Sequence, residues 1–178
     1  MKKLLGLLML VWLGAACVSQ RARVDANDDY LPGPSLNQTY AILQSGDFRT
    51  LSEEQQQTVQ QEIDRQMQAR GYRKVDQAAD IAIVFSLYGS TCTLREARLV
   101  ADAPGKAVYV AGKKNLKKGT LVIQMVDEKL NRSVWLGYAS GLLARGNTEL
   151  EDRELKAYTR QILDEYKLMA PGYVRRER

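Results

Sequence analysis

Two cysteines, a pair of strand-bordering aspartates and a cluster of lysines are the residues whose types and spacing invite chemistry in this sequence. Asp80 and Asp127 each border an apolar run, and two carboxylates facing one another can divide acid and base work between them. The competing reading is turn chemistry, because an aspartate at a strand end bonds nearby backbone. Cys92 would be a nucleophile only if positive charge lowered its pKa, and Arg95 and Arg98 are the neighbours that would supply it. A lone cysteine is more often a small apolar residue of the interior. Lys113, Lys114, Lys117 and Lys118 surround Asn115 and are candidates for contact with an anionic surface such as lipid headgroups or lipopolysaccharide. Their bland role is to blunt a strand edge against association.

The chain contains no histidine. That excludes a histidine-based catalytic triad and removes the commonest transition-metal ligand. Two cysteines cannot build a four-thiolate zinc site within one chain, so no metal and no cofactor is expected. Hydrolysis by carboxylates alone is the enzymatic route left open.

Cys17 has a different setting. Lys2 and Lys3 precede an apolar run over residues 4–13, and Gly14, Ala15 and Ala16 lead into the cysteine. A charged start, about 7–15 apolar residues and a small-residue cleavage region describe a secretory signal peptide. The run falls short of the roughly 20 residues a spanning helix needs. Leu13-Gly14-Ala15-Ala16-Cys17 has the form of a bacterial lipobox, with Gly14 where an aliphatic residue usually stands. Cleavage before Cys17 and acylation of its thiol, palmitate included, would anchor the chain, since two or more acyl chains hold stably. Ordinary cleavage is the alternative, and would leave Cys17 free to bridge Cys92. Val18 and Ser19 follow the cysteine in place of a retaining Asp, which points to the outer membrane. Loss of Lys2 and Lys3 lowers the net charge from +5 to +3. That is too mild for a nucleic-acid binder.

The elements that position these residues follow from pattern. Residues 1–16 are the signal, and 17–36 read as a lipidated, polar tether. Residues 37–170 form one α+β domain, and 171–178 a basic tail. Residues 39–43 suit a first strand. Ser52 with Gln55 forms a capping box, Val59, Ile63 and Met67 give one apolar stripe, and Gly71 stops the helix. Residues 72–75 and 81–87 read as strands. Residues 89–119 lose patterning, with strand pieces at 91–100 and 107–111. Residues 120–126 and 133–143 form a hairpin across a turn at 127–131. Its Trp135 and Tyr138, three apart, fall on opposite sheet faces, one in the core and the other free to bind. Thr148 with Glu151 opens a second helix reaching about residue 168, apolar along Leu155, Tyr158, Ile162, Leu163 and Tyr166. The expected architecture is an antiparallel sheet with both helices on one face, a two-layer sandwich.

Several of these segments together resemble a known family. Gly71-Tyr72 closes a helix, Ala79-Asp80-Ile81 enters a strand, and GTLVIQMVDEKLNRSVWLG forms the hairpin. With the lipobox and a C-terminal helix, this resembles the DUF4136 family of small bacterial lipoproteins, over about residues 40–166. The hairpin is the specific part. The Lys-rich middle departs from the Gly- and Tyr-rich run many members carry there. The resemblance implies an envelope lipoprotein of α+β fold, with no activity and no catalytic residue to transfer.

Three functions compete. The first is a non-enzymatic accessory lipoprotein, facing the periplasm from the outer membrane, which binds an envelope protein. The second is a small-ligand or cell-wall binding module. The third is an envelope hydrolase. An exposed apolar patch favours the first, a closed apolar cavity the second, and a deep carboxylate-lined pocket the third. The expectation is the first, with lipid attachment at Cys17.

Overall fold

A computed structural model describes residues 22–27, 38–43, 51–103, 106–143 and 150–171, with side chains apart from those of 96–109. Residues 1–16, expected to be a signal segment, Cys17 and residues 172–178 of the expected tail lie outside these residues. In chain order the elements are β1 (Arg23–Asn27), β2 (Thr39–Leu43), α1 (Glu53–Ala69), β3 (Arg73–Lys74), β4 (Ile81–Tyr88), β5 (Cys92–Ala103), β6 (Lys106–Leu116), β7 (Thr120–Asp127), β8 (Arg132–Ser140) and α2 (Asp152–Asp164).

Local signals explain both helices. The Gln55 N–H donates to Ser52 Oγ at 3.2 Å while the Ser52 N–H donates to Gln55 Oε1 at 3.1 Å, closing the capping box that opens α1. Val59, Ile63 and Met67 have no exposed surface. Gly71 takes φ +84° just past the end, and the Tyr72 N–H returns to the Met67 carbonyl at 3.1 Å. The second helix starts one turn later than Thr148 suggested. Glu151 is its N-cap and the Glu151 N–H donates to Glu154 Oε2 at 3.4 Å, while Thr148 lies outside the described residues.

Six strands form one sheet in the order β1-β8-β7-β4-β2-β3, and β5 and β6 form a separate two-stranded arm. The sheet is mixed, which corrects the expectation of a purely antiparallel one. β1, β8, β7 and β4 alternate in direction, but β2 runs parallel to both β4 and β3. The reason is α1: a helix between two strands carries the chain back to the end where it started, so the next strand must run the same way. Residues 23–27, expected within a polar tether, are instead an edge strand in which Val24 and Ala26 alternate toward the core.

Register defines two faces. On one lie Ile81, Ile83, Phe85 and Leu87 of β4, facing Leu121, Ile123 and Met125 of β7 and Trp135 and Ala139 of β8. These join Val59, Ile63 and Met67 of α1 and Leu155, Ile162 and Leu163 of α2 in one core. The approach of α2 to β8 is close. A Cβ added at Gly137 would stand 2.7 Å from Ile162 Cγ2, besides striking the Trp135 ring. Between Met125 and Val126 the register slips by one residue opposite Val134, a bulge at the far end of the hairpin.

Candidate functional site

The arm begins where four strand ends meet. Tyr88 pairs with Thr120, Thr120 with Ser140, and Ser140 with Arg23, so these residues line one end of the sheet. The residues formerly without clear pattern leave this end as β5 and return as β6, paired from Cys92↔Leu116 to Ala103↔Lys106 with one irregularity near Ala101. Leu116 is buried at the root.

Lys114 fastens the root to the sheet. Its Nζ lies 2.6 Å from Asp25 Oδ2 on β1 and 5.1 Å above the Tyr138 ring. The Tyr138 hydroxyl donates to the same Asp25 oxygen at 3.2 Å. Burial alone would raise the Asp25 carboxyl, but the Lys114 ammonium and the Tyr138 hydroxyl hold it below its usual range. The same pairing outweighs burial at Lys114 and raises its pKa. Tyr138 is 2 % exposed, so it is no free binding aromatic; its partner Trp135 is the core residue, as the spacing of three required. Of the four clustered lysines, Lys114 is thus turned inward, while Lys113, Lys117 and Lys118 are exposed.

The two aspartates play structural parts of different kinds: Asp127 holds its own turn, while Asp80 ties the start of β4 to the start of β2. Asp80 Oδ2 accepts from the backbone N–H groups of Gln38 and Thr39 at 2.9 and 3.0 Å and from the Thr39 hydroxyl at 2.8 Å. Lys129 reaches its other oxygen at 2.7 Å. The lysine first, then these donors, hold the Asp80 carboxyl far below the usual carboxylate range. Asp127 Oδ1 accepts the Leu130 N–H at 2.9 Å and closes the β7–β8 turn. A carboxyl held as firmly ionised as that of Asp80 is a poor proton shuttle near neutrality. Cys92 is half-buried at the arm root, and burial pushes its thiol up, away from thiolate reactivity. Among the described residues no three histidine, cysteine, aspartate or glutamate side chains converge on a metal site.

Two features lay beyond sequence reasoning. Arg70, at the end of α1, is 9 % exposed. Its guanidinium donates to the Gln66 carbonyl at 2.9 Å, the Gln66 side chain at 2.7 Å, and the Leu163 and Tyr166 carbonyls at 2.6 and 3.2 Å. One cation thereby caps the C-terminus of α2, where unpaired carbonyls and the helix dipole favour it. The adjacent Tyr72 and Tyr166 hydroxyls meet at 3.0 Å. A charged residue before a terminal glycine is the only sequence signal, and it looks like any solvent-facing helix end.

The second is the sheet face turned away from both helices. Register places Leu43, Val84, Tyr88, Val122, Val126 and Leu136 on it. Leu43 and Tyr88 are 43 % and 44 % exposed, and the other four are half-buried. On the helix side a cleft of about 460 Å³ lies between α1 and α2, lined by charged residues including Arg65, Arg153, Lys156 and Arg160. Glu62, within it, is bound by Arg65 and Gln66.

Residues 26–166 match the family model of DUF4136, a domain of unknown function, and the chain belongs to that family. None of the curated proteins matches it by sequence. Among solved structures, a PDZ domain protein from Parabacteroides distasonis ATCC 8503 is similar with a TM-score of 0.50 and 12 % identity, over 85 % of this chain and 36 % of that one. The PelC dodecamer from Paraburkholderia phytofirmans gives 0.47 and 14 %, over 84 % and 99 %. A minor lipoprotein from Acinetobacter baumannii gives 0.32 and 7 %, over 74 % and 91 %. At such identities a likeness concerns fold alone.

Proposed function

We propose that this DUF4136 member is a non-enzymatic accessory lipoprotein of the bacterial cell envelope, lipidated at Cys17 and facing the periplasm from the outer membrane. Its task is to hold an envelope protein. The observation that carries this is the sheet face opposite the helices, where Leu43, Val84, Tyr88, Val122, Val126 and Leu136 present apolar surface that neither helix covers. An apolar surface of this kind, broken by Ser86 and Gln124, suits a protein partner better than a small ligand, which needs an enclosing pocket. The helices close one side of the sheet, and the other, apart from the stretch at Tyr138 that Lys114 covers, is left for binding.

The test is cross-linking in cells followed by affinity capture, on the wild type, on Cys17→Ala and on Val122→Glu. One stoichiometric envelope protein should be recovered with the wild type, lost with Val122→Glu, and reduced with Cys17→Ala, which should also leave the membrane fraction. Equal recovery by the wild type and Val122→Glu would remove the sheet face from the function. A soluble wild type would remove the anchor.

A further inference from the structure

The end of the sheet where β1 begins carries a cluster of exposed cations. Arg23, the first residue of β1, has a side chain 74 % exposed. Lys117 stands beside it in the fold, its N–H donating at 2.8 Å to the Ser140 hydroxyl, and Ser140 is the register partner of Arg23. Lys118 follows, and Lys113 and Arg95 face each other at the arm root. All five cations are exposed. Asp25, the carboxylate among these described residues, is held by Lys114 at 2.6 Å and by Arg23 at 3.4 Å, which leaves Lys113, Lys117, Lys118 and Arg95 as the cations it does not engage.

Chain length ties this end to the bilayer. Arg23 lies six positions after Cys17, a reach of about 20 Å when fully extended. That is only two to three times the ~8 Å over which charge is felt at physiological salt. We propose that this end of the domain docks on the membrane, with Lys113, Lys117 and Lys118 against anionic lipid headgroups. The domain then has a fixed orientation, with Asp80 and the turn at Asp127 pointing away from the bilayer. The inference rests on the Cys17 anchor, and it assigns an occupant to the basic patch that the apolar sheet face does not share.

The full chain is purified from a bacterial envelope and the mass of its N-terminus measured. It is then reconstituted into vesicles of phosphatidylcholine alone, or with part of that lipid replaced by phosphatidylglycerol. Lysines are acylated with a membrane-impermeant reagent, and each residue's rate is compared between the two vesicles. Lys113, Lys117 and Lys118 should react roughly fivefold more slowly with the anionic vesicles, protection that high salt abolishes, while Lys167 should not change. A Lys113→Gln/Lys117→Gln/Lys118→Gln variant with unaltered Trp135 fluorescence should lose the corresponding protection at Arg23, read with an arginine-selective reagent. Lipidated Cys17 with equal lysine rates in both vesicles would overturn the docking and leave the anchor standing. If the mass shows no lipid, the anchor fails, and co-sedimentation of the chain with the same two vesicles decides the patch: equal partition overturns it.

Discussion

Replacing Arg70 by methionine should be the most damaging single change that keeps side-chain volume. The guanidinium makes four hydrogen bonds, three of them to the carbonyls of Gln66, Leu163 and Tyr166. Methionine supplies no donor, so carbonyls at the C-terminus of α2 lose their partner where little water reaches. A hydrogen bond to a charged group contributes about 1.5–3 kcal/mol, and an orphaned buried acceptor costs about 1–3 kcal/mol. These terms do not add, since the chain relaxes and water recovers some acceptors. The exposed Asp164, 3.9 Å away, contributes little. A loss of about 3–5 kcal/mol follows, a large share of the roughly 5–15 kcal/mol typical of a domain. Burial holds the Arg70 guanidinium below its usual range, as expected of a cation kept inside by acceptors rather than by a close carboxylate. The assay is urea unfolding followed by tryptophan fluorescence. In a chain cut before Cys17, Trp135 is the sole tryptophan, and its ring meets that of Tyr166 edge-on at 5.4 Å. The midpoint should fall with the slope unchanged. Arg70→Lys should recover part of the loss, because one ammonium cannot serve both helices. A loss below about 1 kcal/mol for Arg70→Met would refute the capping role.

Three further outcomes follow. Asp80 is held ionised in the folded state, so its contribution is complete above its unfolded pKa of about 3.9 and drains away as pH falls toward the folded value. Stability of the wild type measured by urea should therefore drop below about pH 4, and Asp80→Asn, weaker by about 1–2 kcal/mol at neutrality, should show less of that drop. Gly137→Ala should cost about 1–3 kcal/mol in the same assay, because its methyl enters space already held by Trp135 and Ile162. Lys114→Met should speed amide hydrogen exchange in β5 and β6 while leaving β4 and β7 protected, since it releases the arm from Asp25 without touching the core.

What was legible in the residues was what local physics decides. The Ser52–Gln55 box, the Val59-Ile63-Met67 stripe and Gly71 act within one helix, and each appears in the structure where the pattern put it. The β7–β8 hairpin was equally plain, its turn held by Asp127. Non-local relations were not. That β2 runs parallel to β4 depends on where α1 returns the chain, and no residue of β2 records it. β1 is five residues long, and its Val24 and Ala26 gain meaning only beside β8. The arm hid because its two strands pair only with each other, so neither continues a pattern set by the six-stranded sheet. Within the lysine cluster, composition could not single out Lys114, whose difference from its neighbours is an aspartate 89 positions earlier.

The position of β1 also makes it a mechanical part. A pull on the chain ahead of Arg23 enters the domain along the axis of this strand. All five pairs from Arg23↔Ser140 to Asn27↔Leu136 lie across that line and bear the load together, in shear, instead of opening one by one. The Lys114–Asp25 bridge adds a side-chain bolt to the same strand. A tug on the tether is thus carried into β8, the strand under α2, and the domain resists being peeled from its own leash.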